Sequence, residues 1–409
     1  MPADEKLSRF VEAVRTSGLL QADDLDALAA AAAIPDVDPE SLVGDLVKRS
    51  LLTRYQARRL WKGEGAGLFL SHYVLLDKLG DGGMGSVFRA RHTRMDREVA
   101  LKVMRPEKLA NPEAVRRFHR EIRAAATLSH ENVVMAFDAD QAGDMHFFAM
   151  EFVDGTTLDR YVRQNGPLPV PEACEYVRQA ALGLQHAHEK GLIHRDIKPG
   201  NLLLSKSGVV KISDLGLVLV DQRTGPAASR ITGQGFTVGT PDFLAPEQAR
   251  NPRGADIRAD IYSLGCTLYY LLTGEFPFPQ GTPTEKILRH SREPMPTPTR
   301  ADVPAGVKAV LAKMTAKKPE KRYATPAAVA AALTPYAAKK GAPAPPNPPP
   351  IVDELLTDEG PPSAETKTDS RFRLSPSEVA PRAQGKRGCL SAVLFVAGAA
   401  AVGVAMSWR

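Results

Sequence analysis

The run His194-Arg-Asp-Ile-Lys-Pro-Gly-Asn201 packs four ionisable side chains and an amide into eight residues, and after a short hairpin Ser213-Asp214-Leu215-Gly216 follows. Asp196, Asn201 and Asp214 thereby supply three hard-oxygen side chains within 19 residues. Mg2+ favours such donors, because it keeps part of its water shell and takes substrate phosphates for the rest. Phosphoryl transfer asks a protein for cations on the phosphates and a carboxylate at the incoming hydroxyl, and for little covalent chemistry. Lys198 adds a positive charge where negative charge moves onto the transferring group.

Upstream, Gly80-Asp-Gly82-Gly-Met-Gly85-Ser-Val87 has the GxGxxG spacing. In a dinucleotide fold this cluster opens a helix. Here the strand-like Ser86-Val-Phe-Arg-Ala90 follows instead, so the glycines form a hairpin whose amides can lie over phosphates and whose Val87 caps an adenine ring. Seventeen residues after Gly85 comes Lys102, in the strand-like Val99-Ala-Leu-Lys102. A lysine on a buried strand needs a carboxylate partner. Glu121, on the helical segment Val115–Ile122, is the candidate. Taken singly, Lys102 reads better as a solvated lysine on an edge strand and Glu121 as a solvated glutamate on an amphipathic helix.

Three patterns divide the chain. Residues 1–66 show helical periodicity, with Leu7, Phe10, Val11 and Val14 on one face and capping-box spacing between Thr53 and Gln56. They predict a small bundle of about four helices, carry no cluster of catalytic types, and so suggest a docking or regulatory module. From Tyr73 the pattern is strand-like, and beyond residue 160 it is mostly helical, which predicts two lobes of different class over 71–338. Ten of the 33 prolines lie between Gly341 and Gly388, so 339–388 reads as a disordered linker. Cys389–Trp408 carries no charge over 20 residues, enough to span a bilayer core of about 30 Å. Lys386 and Arg387 before it, against Arg409 after it, predict a single-pass helix in the plasma or inner membrane with the preceding domains cytoplasmic. Ala399 and Gly403 permit helix pairing and a homodimer, although a span this rich in alanine shows such spacing by composition alone.

Composition excludes several classes. An apolar fraction of 43% and a charged fraction of 24% suit a core-forming chain. Three scattered cysteines make no disulfide framework and no metal site beyond Mg2+. A net charge of +6 spread over 409 residues gives no nucleic-acid face.

The order and spacing of these motifs resemble the protein kinase superfamily, in particular the bacterial, eukaryotic-like (Hanks-type) Ser/Thr kinases. The resemblance covers about residues 71–335 and includes Ala245-Pro-Glu247, Asp260-Ile-Tyr-Ser-Leu-Gly265 and Arg322. It implies an α+β, two-lobed fold with a β-rich N-lobe and a helical C-lobe. It also implies that Lys102 grips the ATP α- and β-phosphates and pairs with Glu121, that Asp196 is the base, that Lys198 neutralises the γ-phosphate, and that Asn201 and Asp214 hold Mg2+. Gly80, Gly82, Gly85, Val87, Ala100, Met150, Glu151, Val153 and Leu203 would surround ATP, with Glu151 to Val153 as the hinge to the base. Glu247 and Arg322 would brace the substrate loop, to which Thr240 belongs, and Lys198 with Gly239-Thr240-Pro241 resembles Ser/Thr rather than Tyr kinases. Thr232 and Thr237, near the substrate-facing end of the activation loop, are the candidates for autophosphorylation, and Arg195 is a cation that a phosphate on that loop could engage. Leu215 stands where the family usually has Phe, which with the small Ala125 implies a looser hydrophobic column.

The function so implied is an ATP- and Mg2+-dependent Ser/Thr protein kinase acting on protein substrates. A membrane-tethered pseudokinase, or an adaptor scaffold whose N-terminal bundle docks a partner, is the alternative.

Overall fold

The computed structural model describes residues 3–109, 111–215, 241–251 and 254–338. Four helices come first: α1 (Ala3–Ser17), α2 (Ala22–Ala32), α3 (Pro39–Lys48) and α4 (Arg54–Trp61). Leu7, Phe10 and Val14 of α1 are buried, as their spacing of three and four requires, against Val43, Leu46 and Leu60. The capping box of α4 forms: the Gln56 amide donates to Thr53 Oγ1 at 3.1 Å, and the Thr53 amide donates to Gln56 Oε1 at 3.0 Å.

Strands β1 (Phe69–Leu70), β2 (Tyr73–Gly82), β3 (Gly85–His92), β4 (Arg97–Met104), β5 (Ala136–Ala142) and β6 (Met145–Glu151) make one antiparallel sheet in the order β1-β2-β3-β4-β6-β5. Helix α5 (Pro112–Ala125) covers its inner face through Ala114, Phe118 and Ile122, which pack with Ala100, Phe148 and Met150. The outer face buries Tyr73, Leu75, Phe88 and Phe147, and Tyr55 of α4 packs onto that cluster. The N-terminal helices are therefore seated on the sheet.

The second lobe follows from β7 (Gly155–Thr157) onward. Helix α6 (Leu158–Asn165) leads to the long α7 (Val170–Glu189), and β8 (Leu202–Ser205) and β9 (Val210–Ile212) pair beside β7. Helices α8 (Pro246–Arg250), α9 (Ile257–Thr273), α10 (Pro283–Arg292), α11 (Ala305–Met314) and α12 (Pro326–Leu333) complete it. α9 is buried along almost its whole length, as an apolar helix without a polar face must be, and it ends on Gly274 in the left-handed conformation at φ 75°. A Cβ on Gly183 of α7 would come within 2.6 Å of the Asn132 carbonyl oxygen, so only glycine lets that helix approach the segment between α5 and β5. A β-rich lobe followed by a helical lobe is the architecture the sequence implies. Among the described residues no helix is long and apolar enough to cross a membrane, and the 389–408 span lies outside them, as does the Pro-rich 339–388 segment.

Candidate active site

The site lies where the inner face of the sheet meets the β8–β9 hairpin. Side chains alternate along a strand, so Ala100 and Lys102 of β4 share a face. Their cross-strand neighbours are Met150 and Phe148 on β6, and Val87 on β3 lies opposite Lys102. Ala100 and Met150 are buried in the core that Val87 borders, and Leu203 projects from β8 half-buried. Glu151 closes β6, with its carboxylate 3.0 Å from Lys211 Nζ, and Val153 lies in the strand-free stretch before β7.

The glycines divide by role. A Cβ on Gly85 would sit 2.0 Å from the Val103 carbonyl oxygen, so Gly85 is demanded by the β3–β4 contact itself. Gly80 has open space where a Cβ would stand, and Gly82 has nothing nearer than 3.8 Å. Those two leave backbone accessible to a ligand.

On the opposite wall the catalytic-type residues converge. Lys198 Nζ lies 2.8 Å from Asp196 Oδ2. Asn201 Nδ2 donates to the Asp196 carbonyl oxygen at 2.8 Å and to its Oδ2 at 3.1 Å. With Nδ2 so committed, the amide oxygen of Asn201 is the atom left to meet a cation. The Ser213 amide donates to the Asn201 carbonyl oxygen at 2.9 Å, which couples the two oxygen-bearing segments.

The loop is braced from behind by groups that carry no charge to the reaction. The buried Asp260 carboxylate accepts from the His194 amide at 2.8 Å and from the Arg195 amide at 2.7 Å. Burial pushes the Asp260 carboxyl above its ordinary value, against the pull of His194 and those two bonds. The Asp196 amide donates to His194 Nδ1, so the proton sits on Nε2, which donates to the Ser213 carbonyl oxygen at 2.8 Å. Gln248 Nε2 donates to the Arg195 carbonyl oxygen at 2.9 Å. Arg195 at φ 67° and Asp214 at φ 60° hold left-handed backbone without being glycine, a strain that such bracing sustains. Sequence reasoning missed Gln248 and the supporting role of Asp260. The signal for Asp260 was an acid near the start of an otherwise apolar helix.

Lys102 also makes a contact that sequence reasoning did not name. Lys102 Nζ lies 2.7 Å from Asp214 Oδ1, so the ammonium meets the acid of the Ser213–Gly216 segment directly. The left-handed backbone at Asp214, φ 60°, accompanies this contact. Burial alone would raise the Asp214 carboxyl, but the Lys102 ammonium, aided by His194 and Lys198, holds it below the ordinary value. Asp214 therefore stays ionised, with a second oxygen free of the lysine and suited to a hard cation. Both carboxylate oxygens of Glu121, on α5, are shut off from solvent.

Glu247 and Arg322 form a bidentate pair at 2.5 and 2.8 Å, with the arginine side chain fully buried. Arg322 also donates to the carbonyl oxygens of Ala316, Arg258 and Lys317. Leu215 is buried in the C-lobe core. Thr232, Thr237 and Thr240 lie outside the described residues.

A buried lysine held against one acid, with a second acid flanked by lysine and asparagine, is an arrangement suited to phosphate groups and a hard cation. The model of the protein kinase domain matches residues 73–334. The chain belongs to the protein kinase family. It is similar to the serine/threonine-protein kinase PknB of Mycobacterium leprae, 40% identical over 267 residues, which are 64% of this chain and 42% of that protein. It is also similar to the serine/threonine-protein kinase PrkC of Bacillus subtilis, 37% identical over 62% of this chain and 38% of that protein. The chain thus spans about two fifths of the length of these curated relatives. Among solved structures, the PknI kinase domain of Mycobacterium tuberculosis aligns with a TM-score of 0.52 at 27% identity, over 66% of this chain and 99% of that domain.

Proposed function

We propose that this chain is a serine/threonine protein kinase that transfers the γ-phosphoryl group of ATP to protein hydroxyls, with Mg2+ as the metal. The observation that carries the reading is the convergence of Lys198 and Asn201 on Asp196, facing the Lys102–Asp214 pair. Asp196, oriented by its two neighbours, takes the proton of the incoming hydroxyl as the new O–P bond forms and ADP leaves. Lys198 offsets charge on the moving group, Lys102 grips the α- and β-phosphates, and the amides of Gly80 and Gly82 cover the phosphates. Val87, Ala100, Met150 and Leu203 sandwich adenine, which bonds to the 151–153 hinge. The Asn201 amide oxygen and the Asp214 carboxylate would hold Mg2+, which when bound neutralises phosphate charge.

The test is transfer from [γ-32P]ATP to a generic basic protein by the full chain, beside Lys102→Ala and Asp196→Asn. Transfer is expected in the wild type and lost in both variants. Equal labelling in all three would sink the assignment and leave the scaffold alternative.

From the uncharged 389–408 span and its basic N-terminal flank we also infer membrane anchoring, with the kinase on the cytoplasmic side. Fractionation should place the full chain with membranes and a 1–388 chain in the supernatant. A full chain found in the supernatant refutes the anchor.

A further inference from the structure

Helix α4 lies outside the residues that match the kinase family, yet it holds the strand that leads into the glycine loop. The register of β2 on β3 pairs Leu75 with Ala90 and Asp77 with Arg89, so Leu76 is the extra residue of a β-bulge. At that bulge the Leu75 carbonyl oxygen accepts from Gln56 Nε2 at 2.9 Å, and the Leu76 carbonyl oxygen accepts from Thr53 Oγ1 at 2.5 Å. These are the two side chains of the α4 capping box, so each serves the helix start and the strand together. Gln56 is only 4% exposed, and Tyr55 between the two packs against Phe88 of β3 with ring centroids 6.1 Å apart.

A bulge bends its strand and raises the local twist, so whatever holds the bulge sets the direction of the chain beyond it. Gly80 follows Leu76 by four residues, about 13 Å of strand. The second register shift, between Lys78 and Gly80, falls inside that interval, and beyond it Gly80, Asp81 and Gly82 pair with Val87, Ser86 and Gly85. Beyond Leu76 the strand is exposed, and what ties its end to β3, besides the ladder, is the bond from Ser86 Oγ to Asp81 Oδ1 at 2.6 Å.

We propose that Gln56 and Thr53 are positioning residues for ATP: by clamping the β2 bulge they set the height of the Gly80–Gly85 loop over the phosphates. The first 66 residues are then a brace of the N-lobe, and not only a docking module carried beside it. This rests on the reading that the loop covers ATP.

Gln56→Glu separates the two roles of the side chain. It keeps an oxygen for the Thr53 amide, and so the capping box, but sets an oxygen against the Leu75 carbonyl where a donor stood. Asp38→Ala is the control: it removes the α3 cap, which accepts from the Glu40 and Ser41 amides, elsewhere in the bundle. In the full chain, Gln56→Glu should raise KM for ATP about fivefold, the size of one buried hydrogen bond, with kcat and the peptide KM within about twofold. Thr53→Val should do the same and Thr53→Ser should restore the wild-type value, while Asp38→Ala leaves KM for ATP unchanged. Hydrogen exchange of the 79–85 amides, which needs no activity, should rise in Gln56→Glu and Thr53→Val alone. An unchanged KM and unchanged exchange in both variants would overturn the brace, as would an equal rise in Asp38→Ala. If the wild type transfers no phosphate, the kinase reading falls and the exchange result still decides the brace. If Gln56→Glu does not fold by circular dichroism, the Thr53→Val and Thr53→Ser pair decides it.

Discussion

The two walls of the cleft are both loops, His194–Asn201 below and Gly80–Gly85 above, yet they are held by different means. Below, the buried carboxylate of Asp260 takes two amides, His194 bridges to Ser213, Gln248 takes the Arg195 carbonyl, and the Glu247–Arg322 pair lies in the same lobe. Above, β2 is exposed from Asp77 to Gly82, and the bulge before that stretch is held by two side chains of α4. The lower wall is held by buried groups, and the upper wall by the strand ladder, the Ser86–Asp81 bond and the α4 side chains. That suits a reaction whose base must stand still while its nucleotide enters and leaves. Lys102 fits the same division, since its ammonium belongs to the upper wall and is bound to Asp214 of the lower.

Asp196→Asn sharpens this contrast most. Removing a general base lowers kcat by about 10²–10⁴, and because the upper wall is untouched, KM for ATP should hold within about twofold. Purified from the same expression host, that variant should also lack phosphate on Thr232 and Thr237. Phosphate persisting there by mass spectrometry would rule out autophosphorylation at those sites.

Arg322→Ala comes next. It leaves Glu247 facing a cavity where a buried guanidinium stood, and should cost about 3 kcal/mol in a urea melt. A cost below about 1 kcal/mol would show that the lower wall does not depend on that pair.

The smallest effect is a pH dependence. His290 of α10 is buried against Tyr262, whose hydroxyl lies 2.8 Å from His290 Nδ1. Phe278 packs against its ring, and Lys317 reaches the Tyr262 hydroxyl at 3.3 Å. Lys286, paired to Asp242, and Arg289 complete its charged surroundings. Burial, reinforced by Lys317, Lys286 and Arg289 and opposed by the Asp242 backbone, pushes the imidazole down to about 3. The folded protein then binds fewer protons than the unfolded chain between that value and about 6.5, so stability rises with pH across the window. It is fully present above about 6.5 and fades toward 3, at up to about 1.4 kcal/mol per pH unit. Acidification from pH 6.5 to 5 should lower the wild-type melting temperature more than that of His290→Gln. Parallel curves would remove His290 from the lower wall's supports.

Much of this was legible in the chain, for reasons that differ by residue. The alternation of Val99–Lys102 and the spacing of Leu7, Phe10 and Val14 report a periodicity that burial enforces locally. Asp196, Lys198 and Asn201 were legible together because they share one short loop. The Thr53–Gln56 box was readable as a helix start, but its grip on Leu75 and Leu76 was not, because the partner atoms are backbone carbonyls that carry no residue signature. Gln248 was invisible for the same reason, since it serves the Arg195 carbonyl.

The sequence by itself therefore determined the lobes, the glycine loop and the oxygen-bearing cluster, since each is written in local spacing and side-chain chemistry. Tertiary structure alone decided that Lys102 meets Asp214 and that the N-terminal helices sit on the sheet. Both depend on distances between segments far apart in the chain: Lys102 meets Asp214 across 112 residues, and Gln56 meets Leu75 across 19. A buried ammonium or a bulged carbonyl takes the partner that the fold brings nearest, and spacing along the chain does not encode that distance.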